Sequence, residues 1–222
     1  MVIYAIPGLG TTEKLYENVT IQNVEIIVLN WPVPEKIDTM QSYARKFLTQ
    51  INTDQPFCLL GVSFGGMLCH ELSRVISPKK IFLISTCKSR NELPWFIRFF
   101  KHLPVHKIIP EKLHRKMAYE GRWFIGFGKA YIPQYLGMIN SMAENYFKNC
   151  IHIIVNWDRK EFPKNYIHIH GNDDKLLLHK YVKTDYTIEN GSHAMIVFQA
   201  EEIGKIVEKE IMGDEGRVRE ME

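Results

Sequence analysis

Apolar residues are concentrated in short runs, and longer segments with helical periodicity separate these runs. Apolar runs of four to eight residues are typical of strands buried in a parallel sheet. The segments that predict strands are 2–6, 26–29, 57–62, 80–85, 166–170 and 181–188. Between several of them, apolar residues recur every three or four positions, which predicts amphipathic helices. Strands that alternate with helices predict βαβ units, and therefore an α/β fold with a mostly parallel sheet.

The predicted helices account for much of the remaining chain. Apolar residues at helical spacing predict one helix over 37–51 and a closing helix over 196–211. Residues 151–155 fit either a strand or the end of a helix, and their pattern does not decide between the two. From Gly213 onward the chain is charged and aperiodic, which predicts a frayed tail.

Residues 88–150 lack strand-like runs and carry short helical patterns instead. Prolines and glycines interrupt these patterns, which predicts several short helices rather than one long one. We expect this segment to be an insertion that forms a helical lid over the active edge of the sheet. The predicted organisation is therefore a core of residues 1–87 and 151–222, with the lid at 88–150.

The strand over 57–62 runs directly into a helical pattern that starts at Phe64, and Ser63 lies between them. A strand that reverses into a helix so abruptly needs a sharp turn, and flanking glycines let the two backbones pass closely. Such a turn holds the serine hydroxyl above the edge of the sheet. The segment Gly61-Val62-Ser63-Phe64-Gly65 in this context resembles the nucleophile elbow of the α/β hydrolases.

Two later loops carry groups that could activate this serine. A serine hydroxyl is a poor nucleophile at neutral pH and needs an imidazole base, which a carboxylate in turn orients. Asp174 follows the strand over 166–170, and His193 follows the next predicted strand. Both are therefore expected at the carboxyl edge of the sheet, beside Ser63. Spacing alone does not distinguish Asp174 from its neighbour Asp173.

Further motifs extend the resemblance to the α/β hydrolases over residues 6–193. His170-Gly171-Asn172-Asp173-Asp174 is similar to the family's His-Gly-x-x-Asp, and Asn190-Gly191-Ser192-His193 is similar to its Gly-(Gly/Ser)-His. Pro7-Gly8-Leu9-Gly10 resembles the family's oxyanion loop, which more often contains His-Gly. The resemblance implies a three-layer α/β-hydrolase fold, with helices on both faces of the central sheet and an inserted helical cap. Because residues 2–6 already lead into the oxyanion loop, the resemblance implies a compact member without the first two strands common in larger ones.

The resemblance also implies a role for each residue of the site. Ser63 is expected to be the nucleophile, His193 the general acid and base, and Asp174 the carboxylate that orients it. The family pattern favours Asp174 over the preceding residue. Backbone N–H groups of Leu9 and Phe64 are expected to form the oxyanion hole, which stabilises the tetrahedral intermediate.

The predicted lid is basic and rich in aromatic residues. Residues 88–150 contain eleven Lys and Arg against four Glu and no Asp, a net charge of +7, although the whole chain carries only +3. Such an excess fits either a solvated helical surface or attraction of an anionic substrate or acidic partner. The aromatic residues proposed to line a substrate pocket are Trp95, Phe96, Phe99 and Phe127.

Composition restricts the other function classes. A net charge of +3 is too small to indicate nucleic-acid binding, and no apolar stretch is long enough for a membrane span. The four cysteines lack zinc-type spacing, which predicts reduced, packed thiols; a cytoplasmic location is the default expectation rather than a deduction. His168 and His170 alternate as metal ligands can, but the residues after them do not continue a metallo-hydrolase pattern. We therefore predict no metal and no cofactor, and the sequence leaves the oligomeric state open.

Two classes of function remain after these restrictions. The first is a serine hydrolase that cleaves a carboxylic ester or thioester of a small or acyl-chain substrate through an acyl-enzyme. The same three residues also permit C–C bond hydrolysis or perhydrolysis. The second is a hydrolase-like protein that binds a ligand without turnover, because a fold does not fix a function.

Overall fold

Six strands form one parallel sheet in the computed structural model, which describes residues 1–219. The strands are β1 (Val2–Ile6), β2 (Glu25–Val28), β3 (Phe57–Val62), β4 (Ile81–Ile84), β5 (Tyr166–Gly171) and β6 (Tyr186–Ile188). Their order across the sheet is β2-β1-β3-β4-β5-β6, and every neighbouring pair is parallel. Every residue of β3 and β4 is buried, as expected for central strands covered on both faces.

Nine α-helices are described within residues 1–219. They are α1 (Met40–Arg45), α2 (Phe64–Leu72), α3 (Trp95–Phe99), α4 (Glu111–Glu120), α5 (Arg122–Ile125), α6 (Ile132–Ser141), α7 (Tyr146–Asn156), α8 (Met195–Phe198) and α9 (Ala200–Arg219). In this part of the chain no helix combines the length and the apolar character that crossing a bilayer requires.

The strand order places a reversal of chain direction at the centre of the sheet. The chain passes from β1 to β2 on one side and then returns across the sheet to β3 on the other. Because parallel crossovers are right-handed, this reversal puts helices on opposite faces of the sheet. The contacts agree, since α1 packs on α2 while α8 packs on the short helical turn Glu13–Tyr16. Ligands of open parallel sheets bind at such a reversal, which here lies beyond the ends of β1 and β3.

The helical segment between β4 and β5 comprises α3 to α7. Helix α7 runs through Asn156, past the boundary expected at residue 150, so residues 151–155 are helical. Buried residues of α6 and α7, such as Ile139 and Phe147, belong to the same apolar cluster as the strands. This part of the segment therefore packs directly onto the core.

Three local predictions differ from the structure. The first helix begins at Met40 rather than residue 37, because Thr39 caps it in a capping box with Ser42. The last strand is shorter than 181–188 and begins at Tyr186, because His179–Tyr181 forms a short 3₁₀ turn instead. The tail expected from Gly213 is helical through Arg219, and residues 220–222 lie outside the described part of the chain.

Candidate active site

Ser63 lies at the tight turn between β3 and α2. Its backbone has φ 54° and ψ −118°, a conformation that costs free energy in any residue except glycine. The neighbouring Gly65 packs against the end of β1, where a Cβ atom would overlap the carbonyl oxygens of Ile6 and Pro7. Glycine is therefore required here, because α2 must pass this close to β1 for Ser63 to project above the sheet.

The loops after β5 and β6 pack directly against each other. A Cβ on Gly171 would overlap the backbone of Gly191, and the backbone N–H of Asp173 donates to the carbonyl of Gly191 at 3.0 Å. This contact brings together two loops that are separated by a strand in sequence. One carries Asp174 and the other carries His193.

The side chains of Ser63, His193 and Asp174 form one continuous hydrogen-bonded row. His193 Nε2 lies 2.9 Å from Ser63 Oγ, and His193 Nδ1 lies 2.7 Å from Asp174 Oδ2. Asp174 and His193 are buried, whereas Ser63 is partly exposed. Because an ionised carboxylate only accepts hydrogen bonds, Nδ1 carries the hydrogen and Nε2 is free to accept the serine proton.

Asp174 is held as an anion, whereas the adjacent Asp173 lies outside this hydrogen-bonded row. The second carboxylate oxygen of Asp174, Oδ1, accepts hydrogen bonds from the backbone N–H groups of Leu176 and Leu177 at 2.9 and 2.8 Å. Burial by itself would raise the pKa of Asp174, but His193 and then His170 outweigh burial and lower it below the ordinary 3.8. Asp173 is exposed and lies 3.6 Å from the amine of Lys175.

The residues expected to form the oxyanion hole border Ser63. A Cβ built on Gly8 would lie 3.6 Å from Ser63 Cβ, so the loop after β1 runs beside the serine. Within residues 1–219, the backbone N–H groups of Leu9 and Phe64 have no hydrogen-bond acceptor. The ring of Phe64 stacks on Trp31 with centroids 5.7 Å apart, which fixes the start of α2. Two unused N–H donors beside a serine can donate hydrogen bonds to a developing oxyanion.

A cavity of about 400 Å³ opens above Ser63 and His193. Its walls are mainly apolar side chains from the helical segment and the loop after Asp174, including Leu93, Ile97, Phe100, Met117, Phe124, Ile125, Phe147, Ile151, Ile154, Leu176 and Leu177. A cavity of this size and character is typical of sites that bind small organic ligands.

Only some of the aromatic residues proposed as pocket residues lie at this cavity. Phe96 and Phe127 line it, whereas Trp95 and Phe99 do not and are 68% and 52% exposed. The reason is the orientation of α3, which turns Phe96 and Phe100 toward the cavity and the other two toward solvent. The proposal of Trp95 and Phe99 as lining residues is therefore corrected.

Sequence reasoning missed most of the cavity wall. Phe147, Ile151 and Ile154 of α7 line the cavity from one face of that helix. Their spacing of four and three residues is a helical signal, but it spans the segment whose secondary structure the pattern left open. Met117 of α4 also lines the cavity and gave no distinguishing signal among the other apolar residues of the segment.

Solved structures with the same architecture match nearly the whole chain. A putative lipase from Acinetobacter baumannii AYE is 15% identical with a TM-score of 0.70, and the match covers 97% of this chain and 85% of that one. An esterase from Thermogutta terrifontis is 12% identical with a TM-score of 0.67, covering 96% and 90%. ClbQ, from the colibactin NRPS/PKS pathway, is 13% identical with a TM-score of 0.59, covering 96% and 97%.

The chain has the α/β-hydrolase fold. No protein-family model matches the sequence, and no curated protein matches it either. The α/β-hydrolase fold confirms the predicted fold class, with one parallel sheet and helices packed on it. Identities of 12% to 15% show the fold alone. The chemistry depends on the side chains of the site.

Proposed function

We propose that this protein is a serine hydrolase that cleaves a carboxylic ester or thioester through an acyl-enzyme on Ser63. The observation that carries this proposal is the unbroken row from Ser63 Oγ to His193 at 2.9 Å and on to Asp174 at 2.7 Å, at the floor of an apolar cavity. Nucleophile, base and orienting carboxylate are the three groups that make an alcohol reactive at neutral pH.

In the first half of the reaction the serine is acylated. As Ser63 Oγ bonds to the substrate's carbonyl carbon, its proton moves to His193 Nε2. The carbonyl oxygen becomes an oxyanion, and the N–H groups of Leu9 and Phe64 donate to it. When the tetrahedral intermediate collapses, the bond to the leaving group breaks. The departing alkoxide or thiolate takes the proton from His193.

In the second half of the reaction water releases the acyl group. A water molecule transfers one proton to His193 Nε2 as its oxygen bonds to the acyl carbon. Collapse of the second tetrahedral intermediate breaks the bond to Ser63 Oγ, which recovers the proton from His193. Asp174 remains ionised throughout and stabilises the imidazolium that forms in each half.

The cavity favours a substrate with an apolar acyl group. Burying an acyl chain against Phe96, Met117 and Ile151 supplies binding energy in proportion to the apolar area covered. We propose that the helical segment 88–150 acts as a lid over this site. Its net charge of +7 favours substrates whose leaving group is anionic.

Two adjacent aspartates provide a matched test of the proposed function. Asp174→Asn should lower kcat by roughly 10⁴-fold on p-nitrophenyl butyrate, because His193 would then be held in the wrong tautomer. Asp173→Asn should have nearly wild-type activity, since its carboxylate is exposed and outside the row. Equal activity in the two variants would contradict the assignment.

The nucleophile can be tested independently with a fluorophosphonate probe. Wild-type protein should form one adduct, and peptide mapping should locate it at Ser63. Ser63→Ala should lose both the adduct and the turnover, whereas Ser73→Ala serves as a matched serine control. A folded wild-type protein that binds acyl ligands but forms no adduct would instead be a ligand-binding protein.

A further inference from the structure

A second row of buried polar side chains also meets Asp174. His170 Nε2 lies 3.2 Å from Asp174 Oδ2 and 2.7 Å from the carbonyl oxygen of Leu177. The other ring nitrogen of His170, Nδ1, lies 3.3 Å from His168 Nε2. Both imidazoles are completely buried on β5. Asp174 is therefore shared by two histidines, only one of which is in contact with Ser63.

The row ends at a buried ammonium group. Lys88 Nζ lies 2.8 Å from His168 Nδ1, 2.8 Å from a carboxylate oxygen of Glu92 and 2.7 Å from the carbonyl oxygen of Lys183. The side chain of Lys88 has no solvent exposure, and that of Glu92 has 7%. A buried charge pair of this kind persists only where its hydrogen bonds are satisfied, as these are.

The chemistry of lysine fixes the direction of every hydrogen bond in the row. An ammonium group has three N–H donors and no acceptor, and the three neighbours of Lys88 use all three donors. His168 Nδ1 also lies 3.0 Å from the carbonyl oxygen of Lys183, but that oxygen already accepts from Lys88. Because Nδ1 cannot donate while it accepts from the ammonium at 2.8 Å, the hydrogen of His168 is assigned to Nε2. That N–H donates to His170 Nδ1, so His170 in turn carries its hydrogen on Nε2 and donates it to the carbonyl oxygen of Leu177, with Asp174 Oδ2 3.2 Å from the same nitrogen.

The electrostatic surroundings agree with this direction. Burial, Lys88 and His170 together hold the pKa of His168 well below its ordinary 6.5, so His168 stays neutral. Other titratable groups also face the row. The ring of His179 lies 6.1 Å from that of His170, and the ring of Tyr166 lies 5.8 Å from the ammonium.

We propose that His170 is a positioning residue that holds Asp174 in the orientation His193 requires. Lys88 and His168 determine which ring nitrogen of His170 carries the hydrogen. This role rests on the proposed serine hydrolase activity. With His170 in place, Asp174 Oδ2 accepts from His193 and has the ring of His170 3.2 Å away, while Oδ1 accepts from two backbone N–H groups. The carboxylate then has no freedom to rotate away from His193.

The hydrogen-bond direction can be read from histidine nitrogen shifts in the resting protein. NMR of protein labelled with ¹⁵N-histidine should show His168 and His170 as neutral imidazoles with hydrogen on Nε2. Finding the hydrogen of His168 on Nδ1, or a doubly protonated His170 at neutral pH, would overturn the proposed direction. This measurement needs no substrate and does not depend on whether any variant folds.

The positioning role is tested by three substitutions measured with p-nitrophenyl butyrate. His170→Leu should lower kcat about tenfold, the effect of losing one polar contact with a charged group, with KM little changed. The acid limb of its kcat/KM profile should move to higher pH, because His193 becomes the only imidazole in contact with Asp174. His170→Gln keeps an N–H donor and should recover most of the rate.

His179→Gln is the matched control, since it removes a neighbouring imidazole that does not touch Asp174. A His170→Leu variant with the rate and pH profile of His179→Gln would overturn the proposal. So would equal losses in the Leu and Gln variants of residue 170, because a merely structural role predicts no rescue by a donor. Absence of turnover in the wild type would instead refute the proposed hydrolase activity. The nitrogen shifts would still show which ring nitrogens of His168 and His170 carry hydrogen.

Discussion

His70 gives a prediction about stability that depends only on burial and protonation. It lies in α2 with 1% of its surface exposed, and its ring meets the ring of Trp157 edge-on with centroids 6.2 Å apart. Its Nδ1 atom is buried with no hydrogen-bond partner among the described residues. Burial lowers the pKa of His70 from 6.5 to about 4, and the nearby carboxylate of Glu71 opposes this only in part.

The sign and size of the effect follow from linkage. Because the pKa of His70 is lower in the folded state, the unfolded chain binds a proton first as the pH falls below 6.5. The neutral ring therefore costs no stability above pH 6.5, and stability is lost between pH 6.5 and about 4. Between pH 7 and pH 5 this one group should lower the free energy of unfolding by about 2 kcal/mol.

Urea denaturation at pH 7 and pH 5 measures this contribution. His70→Leu has no titrating group, so its loss of stability between the two pH values should be smaller than that of the wild type by about 2 kcal/mol. Ser73→Ala is the control, since it removes the 2.7 Å hydrogen bond from Ser73 to the carbonyl of His70 without removing the ring. It should have the wild-type pH dependence. An unchanged pH dependence in His70→Leu would refute the reasoning.

Three further predictions concern the glycine at the turn, a buried ion pair and the cavity. Gly65→Ala should abolish activity and lower stability by about 3 kcal/mol or more, because its Cβ would meet carbonyl oxygens at the end of β1; wild-type melting would contradict this. Glu71→Gln breaks a buried pair with Arg159 at 2.9 Å and should cost about 3 kcal/mol in urea denaturation, whereas exposed Glu201→Gln should change nothing measurable. Ala118→Trp fills part of the cavity and should reduce turnover of p-nitrophenyl octanoate far more than of the acetate; equal losses on both esters would argue that the acyl group binds elsewhere.

The turn at Ser63 could be predicted from sequence because its determinants are local. A buried strand, a glycine, a serine and a helical stripe follow one another within twenty residues, and the sterics of that turn admit few alternatives. The parallel sheet followed from the same kind of evidence. The chain order of Ser63, Asp174 and His193 then predicted that they lie at one edge, since parallel strands end together.

The tertiary structure decided how distant groups face each other. Asp174 rather than Asp173 is buried beside His193, in a loop that the backbone hydrogen bond from Asp173 to the carbonyl of Gly191 holds against the loop of His193. The faces of α3 and α7 at the cavity depend on how these helices lie on the sheet, which helical periodicity alone cannot specify.

The row of side chains from Lys88 to Asp174 shows most clearly the difference between what the sequence predicts and what the tertiary structure decides. Lys88 and His168 are eighty positions apart, and only the pairing of β4 with β5 brings them within 2.8 Å. A histidine pair on a strand could be noticed in the sequence, but the lysine that directs it could not. Sequence determined the residues available for chemistry through local sterics and spacing. Long-range packing determined which of them share hydrogen bonds, because the free energy of burying a polar group depends on partners from elsewhere in the chain.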